Sequence, residues 1–465
     1  AAVIINDVVN DLDLCGFGAP MASATTCAMK EFVMTIGALG GLVGKLGLGW
    51  VADAYGRRTA ILIVDILLII GTVLGAAATS IDAFLFSRFA LWVGIGLAFV
   101  VEPTYLAEIA TKTSRGRFVV MNEVAVCAGC LFAFWFGSIA VSSGVEWRVV
   151  LAWGGIPAVV QLAMLPLAPE SPRWLALHGR GRQLQVVAAK LGIHPEELRE
   201  LEKEAIARGQ HQATWGHAMQ AQREAWQKHG KAFWIALGFS ACSSGSSIYA
   251  MQAYAVDIFA EGGVGDPYAV LPYLGVCKLL GAVLAMSVSD MMVVGRRRLS
   301  MAGATACAIS NLLLAVAIPN GAGGLTVFAC LSFIFCWNLG VGGLQLVVIA
   351  ELVPSSVRSA WAGQILALST LVEATVYQTF ESSLVADPRA TMLFYAAING
   401  AAALFACFIL PETAGRTLEE MHQDPAVPSG RDVVEFQEIP VGIASRSRLP
   451  FQGRYGRLVE YTTFD

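Results

Sequence analysis

The chain has 465 residues, 56% of them hydrophobic and only 14% charged, whereas a soluble protein of this length carries charge near a quarter of its positions. The net charge of −4 implies neither nucleic acid nor an acidic partner. The ten cysteines fall almost all inside apolar runs, which argues against a disulfide framework and for an all-α, multi-pass membrane protein.

In chain order, residues 1 to 14, with Asp7, Asn10, Asp11 and Asp13, read as the outer end of a helix leaving the membrane, without the basic start of a signal peptide. Apolar runs of bilayer-crossing length follow at about 28–52, 59–79, 83–107, 118–141 and 148–168. A polar insert separates these from runs at about 232–259, 269–292, 299–318, 324–349, 359–382 and 390–410. In the insert, Leu184, Val187, Ala188 and Leu191 have helical spacing, and Leu198, Leu201 and Ala205 repeat it after His194-Pro195-Glu196. Short amphipathic helices under the membrane domain are predicted there. The tail has no periodicity and is left without structure. Arg57, Arg58, Lys112, Arg115, Arg117, the insert, Arg296 to Arg298 and Arg358 share one side, which is therefore cytosolic.

One unit is used twice. Gly56-Arg57-Arg58 is echoed by Gly295-Arg296-Arg297. Glu108 with Arg115 is echoed by Glu351 with Arg358, and Pro169-Glu170-Ser171 by Pro411-Glu412-Thr413. The offsets are about 240 residues, from 239 to 243. Two pseudo-symmetric six-helix bundles are predicted, with most of the first of twelve helices expected to be missing from this sequence. The domains are 1–168 (first bundle), 169–231 (cytosolic insert), 232–422 (second bundle) and 423–465 (disordered cytosolic tail).

These motifs together resemble the sugar porters of the major facilitator superfamily, over nearly all of the chain to about residue 422. The carriers are Gly49…Asp53…Gly56-Arg57-Arg58; Arg88…Gly94-Ile95-Gly96; Pro103…Glu108…Arg115-Gly116; Pro169-Glu170-Ser171-Pro172-Arg173; Glu351…Pro354…Arg358; and Pro411-Glu412-Thr413 with Arg416. The resemblance implies alternating access around a central solute site. Two halves that rock must be locked on the cytosolic side by reversible contacts. Asp53, Arg57, Arg58, Glu108, Arg115, Glu170, Arg173, Asp290, Arg296, Glu351, Arg358 and Glu412 are the candidate gating ion pairs. The competing reading is that such charges only fix topology.

At the family's substrate positions the sequence departs from the hexose pattern. Glu123 stands where an amide is usual. Ser243-Ser244-Gly245-Ser246-Ser247-Ile248-Tyr249 replaces a glutamine pair and an asparagine. Gln345 lies in a stretch that lacks the stacking tryptophan, and Ser369-Thr370 replaces an amide and a tryptophan. Candidate substrate residues are Glu123, Ser243, Ser244, Tyr249, Gln345, Ser369 and Glu373. Intramembrane acids are costly and usually face a cavity, although Glu123, Glu102 and Glu373 could instead pair with Arg88 or Lys278. Asp257 and Glu381, nearer the outer ends, are read as solvated. Arg88 and Glu102 are the candidate coupling residues.

The function this supports is transport of a small polar solute, a monosaccharide or polyol by resemblance. The alternatives are an amine-bearing or other non-sugar solute, and a non-transporting nutrient receptor. No enzymatic or metal site is expected: all six histidines lie in the insert or tail, and Cys127-Ala128-Gly129-Cys130 reads as small residues on a helix face. No cofactor is expected, proton coupling is left open, and the lipid bilayer and the solute are the partners of a functional monomer.

Overall fold

The computed structural model describes residues 8, 28–47, 49–110, 115–210, 215–289, 295–354 and 357–413. Asp290 and the expected tail from 423 lie outside the described residues, as do residues 1–14 apart from residue 8. Of Arg115 and Arg358 only the backbone is described.

The first half holds α1 (Ala28–Gly47), α2 (Gly49–Tyr55), α3 (Arg57–Ala76), α4 (Ile81–Ile109), α5 (Arg115–Ser142), α6 (Trp147–Trp153) and α7 (Ile156–Met164). The insert folds as α8 (Pro172–Leu177), α9 (Gly181–Leu191) and α10 (Pro195–Gln210). The second half holds α11 (Trp215–Gly245), α12 (Ile248–Ala253), α13 (Ala255–Glu261), α14 (Pro267–Ser289), α15 (Arg296–Ala317), α16 (Gly323–Leu339), α17 (Val341–Leu352), α18 (Arg358–Ala386) and α19 (Pro388–Phe408). Among the described residues, eight helical stretches are long and apolar enough to cross a bilayer. The other three expected spans are α1, the α11–α13 stretch and α18, which are broken or carry charge. Their charges, Lys30, Lys45, Asp257, Glu373 and Glu381, are the ones that meet between the halves.

Within the first half, small residues let backbones approach. A Cβ added at Gly44 would lie 2.2 Å from the Val93 carbonyl oxygen, and one at Gly96 2.3 Å from that of Gly41, so α1 and α4 pack at a distance only glycine allows. The insert behaves as its periodicity predicts. Leu184 and Ala188 of α9 are buried, and Leu184 packs with Trp174 and Leu175 of α8 while Val187 and Leu198 cover them. Gly192, at φ 65°, ends α9 in the left-handed conformation favoured after a helix. α11 is kinked at His229, where Trp226, Phe233 and Trp361 gather with ring centroids 5.1–5.8 Å apart.

The distribution of buried apolar residues defines the state of the molecule. On the outer side one core spans both halves: Val33, Met34, Phe84, Phe134 and Trp147 pack in the same cluster as Ile248, Tyr254, Phe259 and Phe380. Toward the cytosol there are two separate cores. One, around Val64, Leu97 and Tyr105, belongs to the first half, and the other, around Phe239, Leu344 and Trp361, belongs to the second. Among the described residues, burial of apolar surface therefore joins the halves outside and not inside.

Candidate central solute site

The site is built around a break in the seventh span. α11 ends at Gly245, and Ser247 takes a left-handed conformation (φ 73°) before α12 starts. A serine-rich break at membrane depth frees backbone groups that must be satisfied locally. Asn399 on α19 donates to the Ser246 carbonyl at 3.1 Å, the Ser246 hydroxyl donates to the Ser243 carbonyl at 2.7 Å, and the Tyr254 hydroxyl donates to the Tyr377 carbonyl at 3.0 Å. The Ser247 hydroxyl is buried with no partner among the described residues. Sequence reading placed the whole serine run at the site but gave Ser247 no role. A left-handed serine has no one-residue signature.

Past the break, Tyr249 of α12 points toward Trp337 and Tyr377, each with ring centroids 6.3 Å away. It lies within electrostatic reach of both Glu123 on α5 and Glu373 on α18. Glu373 accepts a hydrogen bond from Tyr377 one turn on, and faces Lys45 of α1, whose ammonium also donates to the Thr370 hydroxyl at 2.6 Å. Glu123 faces Lys278 of α14, whose ammonium donates to the Gln252 side chain at 3.0 Å and lies 3.5 Å from the Cys130 sulfur. Arg88 of α4 is buried beside Tyr377 and 6.0 Å from the Trp92 ring centroid. Both halves thus contribute to one cluster in which Glu123 meets Lys278 and Glu373 meets Lys45, with Arg88 beside Tyr377. The acidic pocket read from sequence is a paired one, because Lys45 and Lys278 reach in from neighbouring helices.

The other candidates divide. Ser243 donates to the Gln345 side-chain oxygen at 3.1 Å and the Gln345 amide donates to Ser240 at 2.6 Å, so these residues join α11 to α17. Ser244 is buried in the same turn. Ser369 is bonded to the Leu366 carbonyl of its own helix at 2.9 Å. Glu102 is not near Arg88: it accepts from Gln161 at 3.4 Å, inside the first half and close to the buried Asp65. The Cys127–Cys130 pair faces Glu123 and Lys278, and both thiols are free.

Above the site, Lys30 of α1 ties the halves together. Its ammonium is 2.8 Å from Asp257 of α13 and 2.8 Å from Glu381 of α18, and the residue is only 4% exposed. Next to it, Glu31 accepts the backbone N–H of Ser382 at 2.7 Å. Asp257 and Glu381 are therefore not the solvated acids expected from their position, since a lysine buried at the outer end needs counter-charges.

The repeated cytosolic motifs also take definite roles. Glu170 accepts from the backbone N–H groups of Arg57 (2.9 Å) and Arg58 (3.3 Å), and Glu412 does the same for Arg296 (2.8 Å) and Arg297 (3.2 Å). Each carboxylate caps a helix N-terminus, where the dipole and unpaired N–H groups favour an anion. Gly56 (φ 98°) and Gly295 (φ 67°) precede those helices, and a Cβ at either would lie 2.5 Å or less from the capping carboxylate. Arg57 pairs with Glu108 at 2.8 Å and with Asp53 at 3.3 Å, while Arg296 pairs with Glu351. Arg58 donates to the Leu165 carbonyl at 3.2 Å. Arg173 lies on α8, whose N-terminus Ser171 caps through its hydroxyl. Each of these contacts joins residues of the same half and knits the cytosolic end of that half.

A twice-used helical bundle, a discontinuous helix at the centre and charge pairs where the halves meet define an integral, multi-pass membrane protein with the fold of the major facilitator superfamily. The pattern of the family described as "Sugar (and other) transporter" matches residues 18–424, and the chain belongs to that family. It is 29% identical over 431 residues to the sugar transporter ERD6 of Arabidopsis thaliana, covering 88% of this chain and 84% of that protein. It is 26% identical to myo-inositol transporter 1 of Candida albicans, covering 85% and 75%. Among solved structures, the xylose transporter XylE from E. coli in a partially occluded inward-open conformation superposes with a TM-score of 0.75 at 23% identity, over 90% of this chain and 94% of that one.

Proposed function

We propose that this chain is an alternating-access carrier of a neutral polyhydroxy solute, a monosaccharide or polyol, held between Glu123, Tyr249 and Glu373. The observation that carries the reading is the central cluster drawn from both halves around the α11–α12 break. Relatives named as sugar, polyol and myo-inositol transporters support the solute class. Charge supports it too. With Lys278 against Glu123 and Lys45 against Glu373, the site has no surplus negative charge to attract an amine, while carboxylates and ammonium groups supply the acceptors and donors that hydroxyls require. The shared outer core and divided cytosolic cores correspond to an inward-facing state, in which solute exchanges with the cytosol. The capped and paired cytosolic hairpins would make each half rigid enough to rock as a unit.

The test is uptake into proteoliposomes of a panel of hexoses, pentoses, myo-inositol, linear polyols and organic amines, with and without a pH gradient. A monosaccharide or polyol should be taken up. Glu123→Gln and Glu373→Gln should each lower uptake about 10- to 100-fold, since a hydrogen bond to a charged group contributes about 1.5–3 kcal/mol. Uptake confined to amines, or binding without flux for every solute, would overturn the proposal. Acceleration by an inward proton gradient would add coupling to it.

A further inference from the structure

A groove lies away from the central site, where the cytosolic end of α3 and the end of the sixth span meet α8 and α9. It encloses about 680 Å³, a volume within the range of small-molecule sites. Its lining carries four cations, Arg58, Arg180, Arg182 and Lys190, against a single acid. That acid, Glu170, already serves the N–H groups of Arg57, Arg58 and Ser171. Three of the cations are held by groups that leave their charge unneutralised. Arg58 donates to the Leu165 carbonyl, Lys190 donates to the Leu167 carbonyl at 3.0 Å, and Arg180 lies 4.7 Å from the Trp174 ring centroid.

The rest of the lining is apolar and continues outward. Leu62 sits in the groove and is also the first residue of an exposed stripe along α3, followed by Ile66, Ile70 and Val73. These recur at helical spacing on a face that no other helix covers among the described residues, which in a membrane protein is the face turned to acyl chains. Val186, 66% exposed on α9, lies in the groove wall on the opposite side. Basic groups thus stand at the level of the cytosolic headgroups, and apolar side chains lead from them into the hydrocarbon.

The geometry points to this groove as a binding site for an anionic phospholipid of the cytosolic leaflet, with the phosphate between Arg182, Lys190 and Arg58 and the acyl chains along Leu62 and Ile66. Arg182 and Lys190 come from α9, so the lipid would fasten the insert to α3 beside the hairpin that Glu170 caps. The inference is independent of which solute the central site takes.

The test is competitive lipid retention by the full chain. Delipidated protein is offered equal amounts of phosphatidylglycerol and phosphatidylcholine with the same acyl chains, and bound lipid is counted by native mass spectrometry. Phosphatidylglycerol should be preferred. Each basic residue near an anionic surface is worth about a fivefold change in binding, so Arg182→Gln with Lys190→Gln should cut the preference about 25-fold. Arg199→Gln with Lys203→Gln, exposed on α10 outside the groove, should leave it intact. An unchanged preference in the first pair, or an equal fall in the second, overturns the site. Displacement of the lipid by an equal concentration of soluble glycerophosphoglycerol would also overturn it, by making the groove a pocket for free anions. If the glutamine pair fails to fold, neutralising Arg182 alone carries the same reading, with about a fivefold fall expected.

Discussion

Replacing Lys30 by methionine keeps the length of the side chain and removes the charge that Asp257 and Glu381 share in the outer tie. Both pairs are at 2.8 Å, and the three side chains are 5%, 24% and 12% exposed. Removing one partner of a buried ion pair costs about 3–5 kcal/mol, because the remaining charge is left uncompensated. The partial exposure of Asp257 argues for the lower end. The penalty falls on the outward-closed state alone, since opening the outer side hydrates both acids. A shift of about 3 kcal/mol is a factor of about 150 in the ratio of closed to open forms, enough to bring a minor outward-open state into view. Spin labels at Ser143→Cys and Gly265→Cys report it. Both positions are exposed, on outer loops of opposite halves. Pulsed electron paramagnetic resonance should show a longer distance population in Lys30→Met that is nearly absent from the parent. Identical distance distributions would refute the reasoning and leave closure to the outer apolar core and the Glu31–Ser382 bond.

The capping carboxylates should matter to folding more than their exposed surroundings suggest: Glu170→Gln and Glu412→Gln should each cost about 0.5–2 kcal/mol, read as lowered detergent melting temperatures. Gly56→Ala meets both a left-handed backbone and the Glu170 carboxylate, so it should lower the melting temperature further than Ala substitution at Gly181, where nothing lies within 4 Å. Glu123 and Lys278 should behave as a coupled pair. In a double-substitution cycle of Glu123→Gln and Lys278→Met on thermal stability, the two changes together should be milder than their sum by about 0.5–3 kcal/mol, and simple additivity would separate the residues.

How much of this was legible without coordinates depended on what each residue's role requires. Helices and the twofold repeat follow from apolar run length and fixed offsets, and the helices survive folding because a bilayer enforces their length. The residue types of Gly56-Arg57-Arg58 and Glu170 were visible, but not that the glutamate seeks backbone N–H groups, since their partner helix is over 100 residues away in sequence. The same distance hid the lysines. Lys30 and Lys45 look like ordinary interfacial charges in a span that begins and ends near them. Only the packing of α1 on α18 brings them to Glu381 and Glu373. Gln345 is a candidate solute ligand from its place in the family's tenth-span substrate stretch, and that place does not disclose the two serines on α11 that bond it.

The outer tie also has a mechanical meaning. α18 has 29 residues, which at 1.5 Å per residue makes a rod of about 43 Å. If rigid halves pivot near the level of the helix break, each end lies about 22 Å from the pivot, and a rotation of 10° carries it about 4 Å. Contacts of 2.8 Å cannot stretch by that amount; they break within the first few degrees. Lys30 therefore acts as a latch with a short throw. It resists the start of the motion and contributes nothing to the rest of it, so its strength sets how often the outer side begins to open and leaves the speed of the later swing to other contacts.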